Sequence, residues 1–342
     1  MSENENAANA LIEYFSVNPE DFLDTRHLKR CAEFLSFFQY ADVLNYSQKS
    51  KLHDKFYYLK DRADYLIRSF PHLYRPILSI CNNLELLTGE SFGLDKAFIY
   101  SFEKKVYLTE LTLMRMLETK NIFRNRGFDI FHGLENEVVN QINPDKYTFY
   151  DRDSAYFFTH YVFFLTDFGN MAFKGDKKSA KDSCIRLGIY AYVSDDLDLL
   201  SEICLSLWCL DEKIPSLWCE YILNKQAQFE VGSNKSTMLP DEQDYHRLIV
   251  SNWALSKMLS NHNINIVISG RNCGVIYKHI EHNELLGLSN MAFHFLSIFE
   301  HVSCGRGQVK DMILKLAEFE RSKEMSEMFP EVVWIPTPLL EL

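Results

Sequence analysis

Residues 151–169 read DRDSAYFFTHYVFFLTDFG, an apolar and aromatic run that carries a histidine and, near its end, an aspartate. The apolar periodicity of this run predicts a buried helix over 152–168. His160 and Asp167 are seven residues apart, so a helix places them on nearly the same face, two turns from each other. An imidazole and a carboxylate in such apolar surroundings are either satisfied internally or present for chemistry. The run therefore predicts a helix and a candidate site together.

Helical periodicity extends over almost the whole chain. From Thr25 to Asn45, apolar residues recur at intervals of three and four, which indicates one buried helix face. Only 263–269 is strand-like, and it is too short to found a sheet, so we expect no sheet of more than two strands. The other predicted helices span 50–69, 72–88, 103–119, 124–141, 177–193, 196–210, 213–229, 243–260, 284–303 and 307–325.

The predicted helices of the second half are of two kinds. Those that begin near 152, 196 and 243 are apolar on all sides, whereas those near 177 and 213 carry charged and amide residues on one face. Helices that are apolar all round are buried, and one-sided helices face water. The alternation predicts an all-α fold in which helical hairpins form an inner and an outer layer, as in an α/α toroid or a superhelical array.

The chain carries no Pro-, Gly- or Ser-rich tract that would separate domains, and its hydrophobic fraction of 47% is spread evenly. We expect an N-terminal segment over 1–24 and then one all-helical domain, or two closely packed halves, over 25–325. The tail, 326–342, contains two prolines that exclude a continuous helix, and it is expected to lie on the body as an extended strap.

Charge and composition restrict the partners. The net charge of −11 argues against a surface for nucleic acid. The start of the chain does not resemble a signal peptide, and no stretch approaches the ~20 apolar residues of a membrane span, so we expect a cytoplasmic protein without a membrane partner. The eight cysteines are scattered without a C-x-x-C pair, which is typical of core thiols in a reducing compartment.

The inner-layer helices hold the unusual polar residues. Glu202 lies in the apolar segment that begins near 196, and Tyr245 and His246 open the helix near 243. If these helices converge on one cavity, His160, Glu202 and His246 could bind a divalent metal such as zinc or iron, or form an acid/base pair. His160, Asp167 and Tyr245 are the candidate catalytic residues.

Each of these residues also has a structural interpretation. His160 could be a core histidine bonded to a backbone carbonyl or to Asp167. Asp167 precedes Phe-Gly and could close its helix and hydrogen-bond the following loop. Glu202 could be structural or exposed, because the acidic residues 195, 196 and 198 indicate a solvated helix start.

The run from Asp153 to Gly169, with threonine-histidine at 159–160 and threonine-aspartate-x-glycine at 166–169, resembles the hallmark of an uncharacterised family of bacterial all-helical proteins. The later segments Asp198-Leu-Leu-Ser-Glu202-Ile and Tyr245-His246 are similar to further motifs of that family. The resemblance covers roughly 20–260. Its members are often encoded among genes for peptide or other natural-product assembly, which implies a modifying or accessory role.

A second resemblance concerns architecture. Asp244-Tyr245-His246 is similar to the Asp-x-Tyr-His-Thr of the β subunits of protein prenyltransferases, which are α/α toroids whose histidine binds catalytic zinc. Here Arg247 replaces the threonine, and the companion Asp-x-Cys motif is not evident. The resemblance implies a toroid more strongly than it implies zinc.

These observations lead to two functional hypotheses. In the first, the chain is a tailoring enzyme that acts on a peptide or a small apolar natural-product precursor in a central cavity, by metal-assisted or acid/base chemistry. In the second, it is a non-catalytic scaffold that holds a peptide or a partner biosynthetic protein on a concave helical surface. The residues do not distinguish cyclisation, group transfer, hydrolysis and oxidation.

Overall fold

A computed structural model describes residues 3–16, 24–41, 43–110, 112–141, 152–193, 195–226, 228–233, 242–259, 267–269 and 273–277. Most of these residues are helical, which confirms the helical fold class, whereas the toroid or superhelical arrangement stays a prediction. The helices are α1 Glu3–Phe15, α2 Thr25–Ala41, α3 Tyr46–Phe56, α4 Ala63–Ser69, α5 Tyr74–Thr88, α6 Asp95–Glu103, α7 Leu113–Arg124, α8 Leu134–Gln141, α9 Arg152–Leu165, α10 Lys177–Val193, α11 Leu197–Cys209, α12 Ser216–Gln226 and α13 Glu242–Met258. The strands are β1 Phe229–Ser233, β2 Val267–Ser269 and β3 Cys273–Tyr277.

Helix boundaries are predicted best in the middle of the chain. The predicted helices over 177–193 and 196–210 correspond to α10 and α11 within one residue at each end. The predicted helix over 50–69 is wrong, because it is two helices, α3 and α4. Between them Asp61 adopts a left-handed φ of 59°, and its N–H donates to the carbonyl of Phe92 at 3.1 Å. A long-range backbone contact of this kind has no signature in local periodicity.

The predicted helix over 103–119 is also wrong. α6 ends at Glu103, where Lys105 turns the chain with a φ of 52°. α7 begins only after Thr112, whose hydroxyl accepts the N–H of Arg115 at 3.3 Å as an N-cap. The apolar residues between the two helices belong to a short 3-10 turn, Val106–Thr109, so the periodic pattern joins two separate elements.

The three strands form one small sheet in the order β2-β1-β3. β1 pairs in parallel with β2 and antiparallel with β3, so the expectation of at most two strands is wrong. β1 begins at Phe229, the last residue of the predicted helix over 213–229, of which α12 occupies Ser216–Gln226. Strands of three to five residues are too short to show an alternating pattern of apolar and polar residues in the sequence. In the structure, α1 packs against β1 and β2.

The chain divides into two compact units, and the first contains Met1–Asn136, Phe229–Ser256 and Asn261–Tyr277. Within it α2 packs against α5, and α4 packs against α6. The core of this unit is rich in phenylalanine, and its largest fully buried side chains include Phe34, Phe37, Phe38, Phe56, Phe92, Phe98 and Phe123. Whether 25–325 behaves as one domain stays a prediction, and the strap over 326–342 lies outside the described residues.

The second unit contains Glu137–Gln228, Lys257–Ser260 and Lys278–Leu342. Its central helix is α11, which packs against α9, α10 and α12. Every residue of α11 except Trp208 is buried, which confirms the prediction of a buried helix. Gly188 of α10 allows α12 to approach closely, because a Cβ at this position would lie 2.1 Å from the ring of Trp218.

Five of the six free cysteines described agree with the prediction of core thiols, whereas Cys219 is partly exposed. Cys31, Cys81, Cys184, Cys204 and Cys209 are free and buried, and burial raises the pKa of each thiol. In the described parts of the chain, no helix combines the length and the apolar character that a membrane span requires. The cytoplasmic location and the lack of a nucleic-acid partner stay predictions.

Candidate functional site

α9 and α11 meet along a row of polar side chains. On α9, positions 152, 156 and 160 are four residues apart, and on α11 the same spacing separates positions 198 and 202, so each set lies on one helix face. We call this contact the polar interface. Its members are Arg152, Tyr156, Thr159 and His160 of α9, with Asp196, Asp198 and Glu202 at and after the start of α11.

The first contact of the polar interface is an ion pair. Arg152 donates from Nε to Oδ2 of Asp196 at 2.6 Å and from Nη2 to Oδ1 at 3.3 Å. Asp196 is also the N-cap of α11, because its Oδ1 accepts the N–H of Leu199 at 3.1 Å. Burial opposes the charge of Arg152, but the hydrogen bonds and negative charge of Asp196 outweigh it and raise the pKa of the guanidinium.

The second contact is a buried phenol. Tyr156 donates its hydroxyl to Oδ2 of Asp198 at 2.6 Å and accepts from Nη2 of Arg152 at 2.7 Å. Burial, and then the charges of Asp198, Asp196 and Glu202, raise the pKa of Tyr156, so the phenol stays protonated and acts as a donor. Asp198 is only 6% exposed, so the interpretation of the start of α11 as solvated is wrong at this position.

The third contact orients His160. Its Nδ1 lies 2.8 Å from the carbonyl oxygen of Tyr156, and a carbonyl can only accept, so Nδ1 carries a proton. In the neutral imidazole the lone pair is then on Nε2. Oε2 of Glu202 lies 3.5 Å from the same Nδ1 and also receives the hydroxyl of Thr159. The interpretation of His160 as a histidine bonded to a backbone carbonyl is therefore confirmed, but only for one of its two nitrogens.

The other edge of the imidazole reaches the surface of the second unit. The His160 side chain is 29% exposed, and within the described ranges no group lies within hydrogen-bonding distance of Nε2. The rings of Phe163 and Phe164 have their centroids 5.9 Å from the imidazole, and that of Tyr156 lies 6.4 Å away. The imidazole therefore lies near three aromatic rings, and a carboxylate lies near its Nδ1.

Asp167 ends α9. It adopts a left-handed φ of 47°, its N–H points to the carbonyl of Phe164 at 3.4 Å, and the next N–H, of Phe168, donates to Phe163 at 2.7 Å. These two bonds form a Schellman motif, with Asp167 in the position usually held by glycine. The interpretation that Asp167 closes the helix is confirmed, so it does not share a helical face with His160, and its catalytic role stays a prediction.

Tyr245 and His246 belong to the first unit, whereas His160, Asp167 and Glu202 belong to the second. The Tyr245 hydroxyl donates to Oε2 of Glu33 at 2.6 Å, and the Arg30 guanidinium lies 5.2 Å from its ring. His246 is partly exposed, and its ring centroid lies 6.2 Å from that of Tyr245. The convergence of His160 and His246 on one cavity stays a prediction.

The described donor groups do not by themselves form the predicted zinc or iron site. Among the residues that the structure describes, no three His, Cys, Asp or Glu side chains are arranged to hold a metal ion. Glu202 approaches Nδ1 of His160, the nitrogen already bonded to a carbonyl, so the two side chains do not offer Nε2 and a carboxylate oxygen to the same ion. The metal site of His160, Glu202 and His246 stays a prediction.

Five members of the polar interface were missed as site residues, namely Arg152, Tyr156, Thr159, Asp196 and Asp198. A signal was present, because polar residues spaced by four occur on two helices that are otherwise apolar, at 152, 156 and 160 and again at 198 and 202. The polar side chains of two such rows can form hydrogen bonds with each other only if the two helices pack against each other through these faces. The pairing itself requires the tertiary structure.

The fold and this interface define a helical protein with a buried acid–base network between two helices of its second unit. The chain belongs to the family described as Domain of unknown function (DUF6902), whose profile matches residues 1–315. No curated protein and no solved structure matches the chain. Membership agrees with the resemblance to an uncharacterised helical family, whereas the association with natural-product genes and the likeness to prenyltransferases stay predictions.

Proposed function

We propose that the chain is an enzyme that uses His160 as a general base and acid on a peptide or a small apolar natural-product precursor. The observation that carries the proposal is the orientation of the imidazole: Nδ1 faces a carbonyl at 2.8 Å and a carboxylate at 3.5 Å, while Nε2 is turned away from both. This is the arrangement that a histidine needs in order to accept a proton without rotating.

Proton transfer follows from this geometry. Nε2 takes a proton from a substrate N–H or O–H group, and the imidazole becomes an imidazolium. Its new positive charge lies next to Glu202, which is 2% exposed, so water screens the attraction only weakly. The same proton then returns from Nε2 to the leaving or product atom. A base positioned in this way contributes about 10²- to 10⁴-fold in rate.

The remaining members of the polar interface hold this pair in place. Arg152 and Asp198 fix the side chain of Tyr156, whose carbonyl oxygen receives Nδ1–H of His160. Thr159 holds Oε2 of Glu202 beside the imidazole. Each group is held by at least one other, which favours a preorganised site over an adaptable one.

A second candidate function is a non-catalytic scaffold that binds a peptide or a partner protein of a biosynthetic pathway. One observation favours it: Arg152, Tyr156, Asp196 and Asp198 satisfy one another, as the members of a purely structural network would. In that case the polar interface would set the register of α9 on α11 and would have no role in chemistry.

Product formation tests the enzyme proposal. Wild-type protein is incubated with small-molecule and peptide extracts and the products are followed by mass spectrometry, in parallel with His160→Gln and with the control His132→Gln, whose side chain is 79% exposed. We expect product formation to fall roughly 100-fold in His160→Gln and to be unchanged in the control. Equal turnover by all three proteins would contradict the proposal and favour the scaffold.

The metal prediction is tested on the same preparations. Elemental analysis that finds about one equivalent of zinc or iron, lost in the double variant His160→Ala/His246→Ala, would support a shared metal site. If metal-free protein still turns over substrate, the prediction of a catalytic metal is wrong and the acid/base proposal is unaffected.

A further inference from the structure

An exposed apolar surface lies where α6 ends in the first unit. Ile99 and Phe102 are one turn apart on α6 and are 46% and 37% exposed, and Leu108 of the following 3-10 turn is 58% exposed. Large apolar side chains that are exposed singly are common on protein surfaces, whereas a contiguous group of them is typical of an interaction site.

Aromatic rings extend this surface beyond Phe102. The Phe102 ring stacks on that of Tyr107, with their centroids 6.3 Å apart, and its centroid lies 5.1 Å from that of Phe128. Tyr107 in turn contacts Phe131, at 5.3 Å between ring centroids. Because Tyr107, Phe128 and Phe131 are each partly exposed, the apolar area continues from Phe102 onto their rings.

Two lysines lie in the turn between Phe102 and Tyr107. Lys104 and Lys105 are exposed, and among the residues that the structure describes no carboxylate lies within ion-pair distance of either ammonium group. Residues 99–109 contain these two lysines and one acid, Glu103, so the segment has a net charge of +1 in a chain whose net charge is −11. The surface is therefore basic on a protein that is acidic as a whole.

The backbone holds this turn in place. Lys105 has a left-handed φ of 52°, its N–H donates to the carbonyl of Phe102 at 3.1 Å, and its own carbonyl accepts the N–H of Leu108 at 3.0 Å. Glycine would adopt this φ with less strain, so the turn alone does not explain the lysine. A surface that is fixed before binding loses less conformational entropy on binding than an adaptable one.

We call this region the α6 surface. It consists of Ile99, Phe102, Lys104, Lys105, Tyr107 and Leu108.

We infer that the α6 surface binds a peptide segment of a partner protein in which apolar side chains alternate with aspartate or glutamate. The apolar side chains of the segment would cover Phe102 and Leu108, and its carboxylates would pair with Lys104 and Lys105. The inference does not rest on the proposed function, because the α6 surface belongs to the first unit and His160 to the second.

The charge of the whole chain favours a short acidic segment over larger anionic surfaces. Recruitment to an anionic membrane typically uses roughly four to eight basic residues, and nucleic acid is bound through extended basic surfaces. Two lysines on a chain with a net charge of −11 do not supply such a surface. A short segment interacts mainly with charges within one Debye length, about 8 to 10 Å, and over that range the lysines of the α6 surface attract it.

Selection from a library of short random peptides tests the inference. Phage-displayed peptides are selected on the whole wild-type protein and, in parallel, on the variant Lys104→Glu/Lys105→Glu. We expect the wild type to enrich sequences that combine Asp or Glu with Leu, Phe or Trp, and the variant to lose this enrichment. The enriched peptide is then synthesised and its affinity is measured by fluorescence polarisation. Its affinity should fall as salt is added, because exposed charges are screened.

A matched pair of double variants locates the charge contribution. Lys104→Glu/Lys105→Glu should weaken binding of the synthetic peptide roughly tenfold or more, because each substitution replaces an attraction by a repulsion. The control Lys174→Glu/Lys178→Glu reverses two exposed lysines of the second unit and should leave binding unchanged.

A second matched pair locates the apolar contribution. Leu108→Ser should weaken binding severalfold, whereas the control Leu86→Ser, at a 54% exposed side chain of α5, should not. Circular dichroism checks that each variant is folded. His160→Gln should bind the peptide as the wild type does, so a failure of the proposed catalytic role would leave this result unchanged.

Several results would overturn the inference. They are the absence of any enriched peptide, enriched peptides without acidic residues, and equal effects of the two double variants. Binding of the wild type, but not of Lys104→Glu/Lys105→Glu, to phosphatidylserine vesicles would assign the α6 surface to a membrane. Self-association of the wild type that Leu108→Ser abolishes would assign it to a second copy of the chain, and either assignment replaces the peptide.

Discussion

The helix pair α2–α5 of the first unit and the helix pair α9–α11 of the second are held together by opposite means. α2 and α5 bury apolar side chains such as Phe38 and Ile77, which are fully inaccessible, with one side-chain hydrogen bond from Asn83 to Ser36 at 2.9 Å. α9 and α11 instead join through the ion pairs and hydrogen bonds of the polar interface.

The difference bears on function. Replacing a buried ion pair by well-packed apolar residues is often neutral or stabilising, because charges lose their hydration on burial. The α2–α5 contact shows that this chain builds a tight helix pair without such groups. The polar interface is therefore not needed for packing alone, and its partly exposed histidine is the group for which we propose a catalytic role.

The largest expected effect concerns the apolar contact of the helix pair α2–α5. Phe38→Ala removes a ring that is 0% exposed and leaves a cavity, so the free energy of unfolding should fall by about 3 to 5 kcal/mol in urea denaturation. The matched change Phe157→Ala, at a ring of α9 that is 44% exposed, should cost less than about 1 kcal/mol. Similar losses in both variants would mean that the two faces are equally buried in solution and would undermine the comparison.

An intermediate effect is expected at the polar interface. A double-mutant cycle of Tyr156→Phe and Asp198→Ala should give a coupling of about 1 to 3 kcal/mol, because the hydrogen bond that joins them is buried and charge-assisted. The surface pair Asp64–Arg68, at 2.8 Å, is the control and should give about 0.3 to 0.5 kcal/mol. A coupling at Tyr156–Asp198 no larger than that of the control would show that the polar interface is solvated.

The smallest expected effect is a pH dependence of the free energy of unfolding that arises in the helix pair α2–α5. Burial raises the pKa of the Cys81 thiol on α5 from 9.0 to about 12. Between these values the unfolded chain releases the proton and the folded chain keeps it, so the thiol's contribution to stability is complete below pH 9.0 and is lost as the pH rises towards about 12.

The variant Cys81→Ala measures this contribution. Between about pH 8 and about pH 10 its unfolding free energy should fall by about 1.4 kcal/mol less than that of the wild type. Cys219→Ala, at a less buried thiol, should change the pH dependence less. An identical pH dependence of wild type and Cys81→Ala would show that this thiol titrates normally in the folded protein.

The helical class and the position of α9, α10 and α11 could be predicted because their apolar patterns are long and uninterrupted. The division of the predicted helix over 50–69 into α3 and α4 could not be predicted, because it involves a backbone hydrogen bond from Asp61 to the distant residue Phe92. The three-stranded sheet was missed for a similar reason, since its pairing joins segments far apart in the chain.

The candidate site could also be predicted only in part. His160 and Glu202 stand out because a polar side chain in an apolar helix must be satisfied or used. Asp198 was misread as solvated, because an acidic residue at a helix start is usually explained by the helix dipole alone. Its burial becomes visible only when Tyr156 is seen to donate to it at 2.6 Å.

The sequence by itself determined that this chain is helical, that α11 is largely buried, and that His160 and Glu202 lie in apolar stretches of helix, because helix periodicity and burial are local consequences of side-chain chemistry. The tertiary structure alone decided that Glu202 lies beside Nδ1 of His160 and that Arg152, Tyr156 and Asp198 join the site. Hydrogen bonds depend on distances of a few tenths of an ångström between residues more than forty positions apart, and such distances exist only once the helices have packed.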